Sequence, residues 1–206
     1  YWPTKGWKTD KPENHGINPK KLKKAIEYIK NNTATWSILI VKDGFLVAEN
    51  YFRNGRVDKV SGINSVTKSI TSTVFGIAVD KGLIKVNQPL QSVFPDYITA
   101  ESEDWIKALT FKQVLTMTWG FKWEERGQYF NEDSDFWRWY QSSDWVGYAL
   151  TRPKMFTPGT KWIYDSTASH LLSAAITKVT EEDTADFAQK HLFTPIGIPE
   201  TGSSGK

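Results

Sequence analysis

Residues 62–72 read Gly62-Ile63-Asn64-Ser65-Val66-Thr67-Lys68-Ser69-Ile70-Thr71-Ser72, and Val74, Ile77, Ala78 and Gly82 follow. Apolar side chains at 70, 74, 77 and 78 mark one face of a helix, with Gly82 placed to end it. Ser65 falls at its start, and a spacing of three puts Ser65 and Lys68 on one face, a turn apart. That pairing is chemically useful. A serine hydroxyl is a poor nucleophile unless a base takes its proton, and a lysine amine does so where burial and cationic neighbours lower its pKa. The helix N-terminus adds N–H groups and a positive dipole end beside a developing oxyanion. A plainer reading, with Ser65 as helix cap and Lys68 as a solvated first-turn residue, stays open on spacing alone. A second Ser-x-x-Lys match, Ser203-Ser204-Gly205-Lys206, lies in a Gly/Ser tail that would fix neither side chain.

Toward the N-terminus, Thr35 to Lys42 and Phe45 to Phe52 are rich in Ile, Val and aromatics and flank Asp43-Gly44, the pattern of a hairpin with a two-residue turn. Before them, Asn18 as N-cap and Pro19 at the first helical position open a helix through about Asn31. Residues 1–17 show no periodicity and read as an extended lead-in. Toward the C-terminus the chain turns mainly helical. Thr110 and Gln113 form a capping-box pattern before a helix that Gly120 stops. One helix is expected over Ser134–Leu150, then a loop from Pro153 to Gly159, then helices near Thr167–Val179 and Asp183–Phe193. The expected organisation is a lead-in, helix and hairpin (1–60), a mainly helical lobe carrying Ser65 (61–193) and a tail (194–206). A lone hairpin is marginal, so further strands are expected in a C-terminal remainder of the same protein beyond Lys206.

Composition narrows the classes. The 206 residues are 39% apolar and 14% aromatic, enough for a substantial core. Net charge is +3, from 26 basic and 23 acidic residues with interleaved signs, so nucleic acid is not expected as a partner. The densest basic run, Lys20, Lys21, Lys23 and Lys24, shares a helix with Leu22, Ala25, Ile26 and Ile29, and reads as its solvated face. Cysteine is absent, and His15, His170 and His191 lack paired spacing, so neither thiolate chemistry nor a metal is expected. No segment reaches the ~18 apolar residues of a membrane span.

The wording and order of several segments resemble the β-lactamase-related serine hydrolases. Ser65-Val-Thr-Lys-Ser-Ile-Thr-Ser, Asp80-Lys-Gly-Leu-Ile-Lys-Val-Asn-Gln-Pro-Leu and Phe94-Pro-Asp-Tyr carry the likeness. It continues in Leu109-Thr-Phe-Lys-Gln-Val-Leu-Thr-Met-Thr-Trp-Gly, Phe156-Thr-Pro-Gly-Thr and Tyr164-Asp-Ser, and spans roughly residues 15–200. The family includes class C β-lactamases, D-alanyl-D-alanine carboxypeptidases (penicillin-binding protein-like enzymes), esterases and 6-aminohexanoate-dimer hydrolases. The resemblance implies an α/β (α+β) fold of β-lactamase/transpeptidase type, an antiparallel sheet with flanking helices against a helical lobe, with the site between them. It implies Ser65 as nucleophile, Lys68 as base and Tyr164 as proton relay in an acyl-enzyme mechanism on an amide or ester carbonyl, without cofactor or metal. Ser166 would replace the family asparagine that bonds the lysine or the substrate amide; a hydroxyl cannot supply carbonyl acceptor and amide donor together. Trp119 stands where a serine is usual and reads as local packing.

The family's third motif, Lys-Thr-Gly or His-x-Gly, has no counterpart in these residues, so weak or no turnover by residues 1–206 alone is expected. A D-alanyl-D-alanine peptidase or β-lactamase is the alternative activity, and a catalytically silent cell-wall peptide or protein binder the alternative of another class. The implied partner is a small-molecule or short-peptide substrate. The compartment is not readable from the residues, and the expectation is an extracytoplasmic bacterial one with an export signal already removed. Residues 119–145 are dense in aromatics, among them Tyr129 and Phe130. Phe136, Trp137, Tyr140 and Trp145 have near-helical spacing and are expected in the core; Phe121 and Trp123, in a loop after Gly120, are expected as substrate contacts.

Overall fold

Asp43 and Gly44 both take positive φ, 54° and 82°, so the reversal they make matches the twist of the strands it joins. The computed structural model describes residues 2–125, 129 and 131–200. These divide into two compact units, one of residues 2–63 with 193–200 and one of residues 64–192.

In the first unit the sheet has the order β1-β3-β2. Strand β1 is Lys8–Thr9, β2 Ser37–Lys42 and β3 Phe45–Tyr51. The β2–β3 hairpin is antiparallel with a bulge between Ile40 and Val41, and β1 runs parallel to β3, with Lys8 opposite Phe45. The lead-in is therefore part of the sheet rather than simply extended. Both residues of β1 are exposed, so no alternation betrays it. It is tied down from a distance, with His15 bonding Asp10 at 3.0 Å and Asp43 of the hairpin turn at 3.2 Å. Helix α1 covers Pro19–Asn32, and its Asn18 cap accepts the Lys21 N–H at 3.0 Å. Leu22, Ile26 and Ile29 are half-buried and the four lysines are exposed.

The second unit is helical. Helix α2 (Val66–Asp80) buries Val74, Phe75 and Ala78. It ends in a Schellman motif: Gly82 at φ 74° donates to the Val79 carbonyl, and Leu83 donates to that of Ala78. Short helices α3 (Asp104–Lys107) and α4 (Phe111–Leu115) follow, the latter closed by the capping box, with Gln113 Oε1 accepting the Thr110 N–H at 3.0 Å. The single helix expected over Ser134–Leu150 is two, α5 (Asp135–Gln141) and α6 (Trp145–Leu150). Ser142 and Asp144 break it. The Ser142 hydroxyl accepts the Asp144 N–H, and Asp144 then caps α6 by accepting the Gly147 N–H at 2.8 Å, an alternative to the helical ladder that such residues favour. Helix α7 (Ser166–Thr180) packs against α2, α4, α6 and α8 (Thr184–Ala188), burying Leu171, Leu172, Ala175 and Ile176. Gln189–Phe193 continues α8 as a single π-helical turn.

Candidate active site

Asn64, which precedes the serine, sits at φ 46°, a left-handed conformation that a non-glycine residue adopts at a cost. Ser65 then has helical dihedrals, and its side chain accepts no bond from the helix it precedes. The hydroxyl is not spent as a cap, which removes the plainer reading of that serine. Lys68 Nζ lies 3.2 Å from Ser65 Oγ. From the other side, and 99 positions along the chain, the Tyr164 hydroxyl meets the same oxygen at 2.6 Å. Lys68 Nζ also stands 5.0 Å from the centre of the Tyr164 ring. The structure thus brings Ser65, Lys68 and Tyr164 together around one oxygen.

Tyr164 and Ser166 are held by the residue between them. Asp165 caps α7 by accepting the Thr167 N–H, and it also accepts from Trp119 Nε1 at 3.0 Å and from Arg152 Nη2 at 3.0 Å. The Arg152–Asp165 pair is buried, at 6% and 1% exposure. The guanidinium lies 5.1, 5.2 and 4.7 Å from the ring centres of Trp119, Phe121 and Trp123, which surround the buried cation with negative ring faces. The loop before α7 is also stitched to the loop after α4: Ile163 N–H bonds the Met117 carbonyl, and Met155 and Phe156 N–H both bond the Gly120 carbonyl. Gly120 is needed there, since it has φ 91° and an added Cβ would stand 2.5 Å from the Phe156 carbonyl oxygen. The Met-Thr-Trp-Gly and Thr-Pro-Gly segments are therefore two sides of one support.

Ser166 does not bond Lys68. Its N–H and its hydroxyl both go to Glu125, at 2.9 and 2.8 Å, and Trp123 Nε1 donates to the same carboxyl at 2.6 Å. Glu125 is 1% exposed. Burial pushes its pKa up, opposed by the hydrogen bonds from Ser166 and Trp123, while the Asp165 charge adds to the rise. Neither Glu125 nor Arg152 is singled out by sequence reasoning, because their partners lie 41 and 13 positions away.

Asn64, Ser65, Lys68, Tyr129, Phe136 and Ser166 line a cavity of about 540 Å³, a size suited to a small organic ligand. The aromatic side chains exchange the roles expected of them. Phe121 and Trp123, expected as substrate contacts, are core residues packed on Arg152. Phe136, expected in the core, lines the cavity, while Tyr140 and Trp145 are exposed. Helical spacing marks the start of α5 at Ser134 but neither its end nor the direction of its faces. Trp119 packs locally, as expected. Phe130 and the second Ser-x-x-Lys match lie outside the described residues. Among the described residues no group of His, Asp and Glu side chains is arranged to hold a metal ion, and no helix is long and apolar enough to cross a membrane.

The sequence model of the beta-lactamase family matches residues 22–205. The chain belongs to the beta-lactamase family. Lovastatin esterase from Penicillium rubens is 26% identical over 168 residues, covering 71% of this chain and 40% of the esterase. Among solved structures, a candidate 6-aminohexanoate-dimer hydrolase from Bacillus anthracis superposes with a TM-score of 0.66 at 16% identity, over 85% of this chain and 47% of that one. The octameric penicillin-binding protein homologue from Pyrococcus abyssi gives 0.65 at 20% identity, over 88% and 43%. The beta-lactamase/transpeptidase-like fold expected from the sequence is the observed one. The chain spans 40–47% of the length of these three relatives.

Proposed function

We propose that this beta-lactamase family chain carries the nucleophilic half of a serine hydrolase that acts on an amide or ester carbonyl through an acyl-enzyme. One observation carries the reading: Ser65 Oγ has a lysine amine 3.2 Å away and a tyrosine hydroxyl 2.6 Å away, while making no cap bond to its own helix. A general base must reach the proton it removes, and Lys68 does. In the proposed sequence Ser65 Oγ attacks the carbonyl carbon as its proton passes to Lys68 Nζ. Tyr164 hands a proton to the leaving group as the scissile bond breaks, leaving the acyl group on Ser65. Lys68 returns its proton to Tyr164, water attacks the acyl carbon while giving a proton through the same pair to Ser65 Oγ, the Ser65 Oγ–acyl bond breaks, and the acid product departs. The positive end of α2 favours the negative charge on the carbonyl oxygen. The relatives' names cover an esterase and a 6-aminohexanoate-dimer hydrolase, which supports a hydrolase without choosing between substrates.

Intact mass after incubation with an active-site serine phosphonate tests the reading. The expected result is a single adduct on the wild-type chain, lost in Ser65→Ala and suppressed at least about 100-fold in rate in Lys68→Ala. The reaction is stoichiometric, so it needs no turnover. A wild-type chain that stays unmodified, both alone and when extended beyond Lys206, would favour the silent-binder reading and sink this one.

A further inference from the structure

Ser166 has one proton to donate and lone pairs to accept with, and an ionised carboxylate beside its hydroxyl takes that proton. Glu125 Oε2 already receives two donors, Trp123 Nε1–H and Ser166 N–H, and its Oε1 receives the Ser166 hydroxyl at 2.8 Å. With its proton committed to a carboxylate that is itself 1% exposed, Ser166 can offer the Ser65 cavity only lone pairs.

We propose that Glu125 is a positioning residue that fixes Ser166 as a hydrogen-bond acceptor in the cavity, so that the site selects carbonyl substrates bearing an N–H donor beside the scissile group, as acylamino compounds do. The inference rests on the serine-hydrolase reading above and says which side of a substrate that site would recognise. An asparagine at this position would present both an acceptor and a donor. A serine held by Glu125 presents the acceptor alone, and substrates whose corresponding atom is an ether or ester oxygen would set lone pair against lone pair.

Glu125→Gln reverses this polarity at nearly constant size. Trp123 Nε1–H and Ser166 N–H both need an acceptor at the Oε2 position, so the glutamine oxygen belongs there and its NH₂ falls opposite Ser166 Oγ. Ser166 must then accept from the amide, which turns its own O–H toward the cavity.

The test is the rate at which Ser65 is labelled by two matched p-nitrophenyl phosphonates, one carrying an acetamidomethyl group and the other its acetoxymethyl counterpart, at about pH 8, chosen well above the ordinary carboxyl range because burial pushes Glu125 up. In each case Ser65 Oγ bonds to phosphorus and p-nitrophenolate leaves. The wild type is expected to favour the N–H-bearing probe about tenfold, the worth of one neutral hydrogen bond. The ratio should fall to about one or below in Glu125→Gln, and to about one in Ser166→Ala, which removes the acceptor and leaves two of the three donors on Glu125. A merely structural role would slow both probes alike. A wild-type ratio near one, or a ratio that survives in either variant, overturns the inference while leaving Ser65 as nucleophile. Labelling by neither probe, of the chain alone and of the chain extended beyond Lys206, would overturn the serine-hydrolase reading itself.

Discussion

Arg152 is a charge kept at 6% exposure by an opposite charge, a threonine hydroxyl and two backbone carbonyls. Such a pair earns little net stability against an apolar replacement, yet removing one member strands the other. Arg152→Ala is expected to cost about 3–5 kcal/mol in a urea unfolding series, because Asp165 would remain buried and charged. Loss below about 1 kcal/mol would mean that Trp119 and Thr167 suffice to hold that carboxylate. Ser65 and Lys68 were legible in the sequence because one helical turn encodes their approach. Tyr164 was legible only through family wording. Glu125 was not legible, since its environment is assembled from Trp123 two positions on one side and Ser166 forty-one positions on the other.

Where a helix stops is decided by local competitors of its hydrogen-bond ladder, and α5 and α6 illustrate it. The apolar spacing across Ser134–Leu150 is continuous enough to suggest one helix, but the Ser142 and Asp144 side chains take backbone N–H groups for themselves. Asp144→Ala should lower the unfolding free energy by about 1 kcal/mol, the usual worth of an N-cap, read as a fall in thermal midpoint. Gly147→Ala is expected to do at least as much harm, since its new Cβ would stand 2.2 Å from Asp144 Oδ2 and displace the cap. An unchanged midpoint in both would show that packing on α7, not the cap, defines the start of α6. The caps at Asn18 and Thr110, the turn at Asp43-Gly44 and the stop at Gly82 were readable because each is a local contest settled within four residues. Strand β1 was not, because its partner lies 37 positions away.

Across the molecule the core is unevenly shared. Among the described residues, Leu46, Val47 and Phe52 are the buried apolar side chains of the first unit, and all the others belong to residues 64–192. Helix α1 buries none of its residues, whereas α7 buries seven. Native-state hydrogen exchange should therefore find α7 amides opening only with global unfolding and α1 amides at least about 100-fold less protected. Equal protection of the two helices would show that a contact on α1 outweighs its exposure. The sequence by itself determined helices α1, α2 and α7, the hairpin and the one-turn spacing of Ser65 and Lys68, because these follow from periodicity and capping within a few residues. Tertiary structure alone decided which aromatic side chains face the cavity, which carboxylate holds Ser166 and where the buried Arg152–Asp165 pair lies. Those depend on how α5, α7 and the loops beside them pack, and no local spacing carries that information.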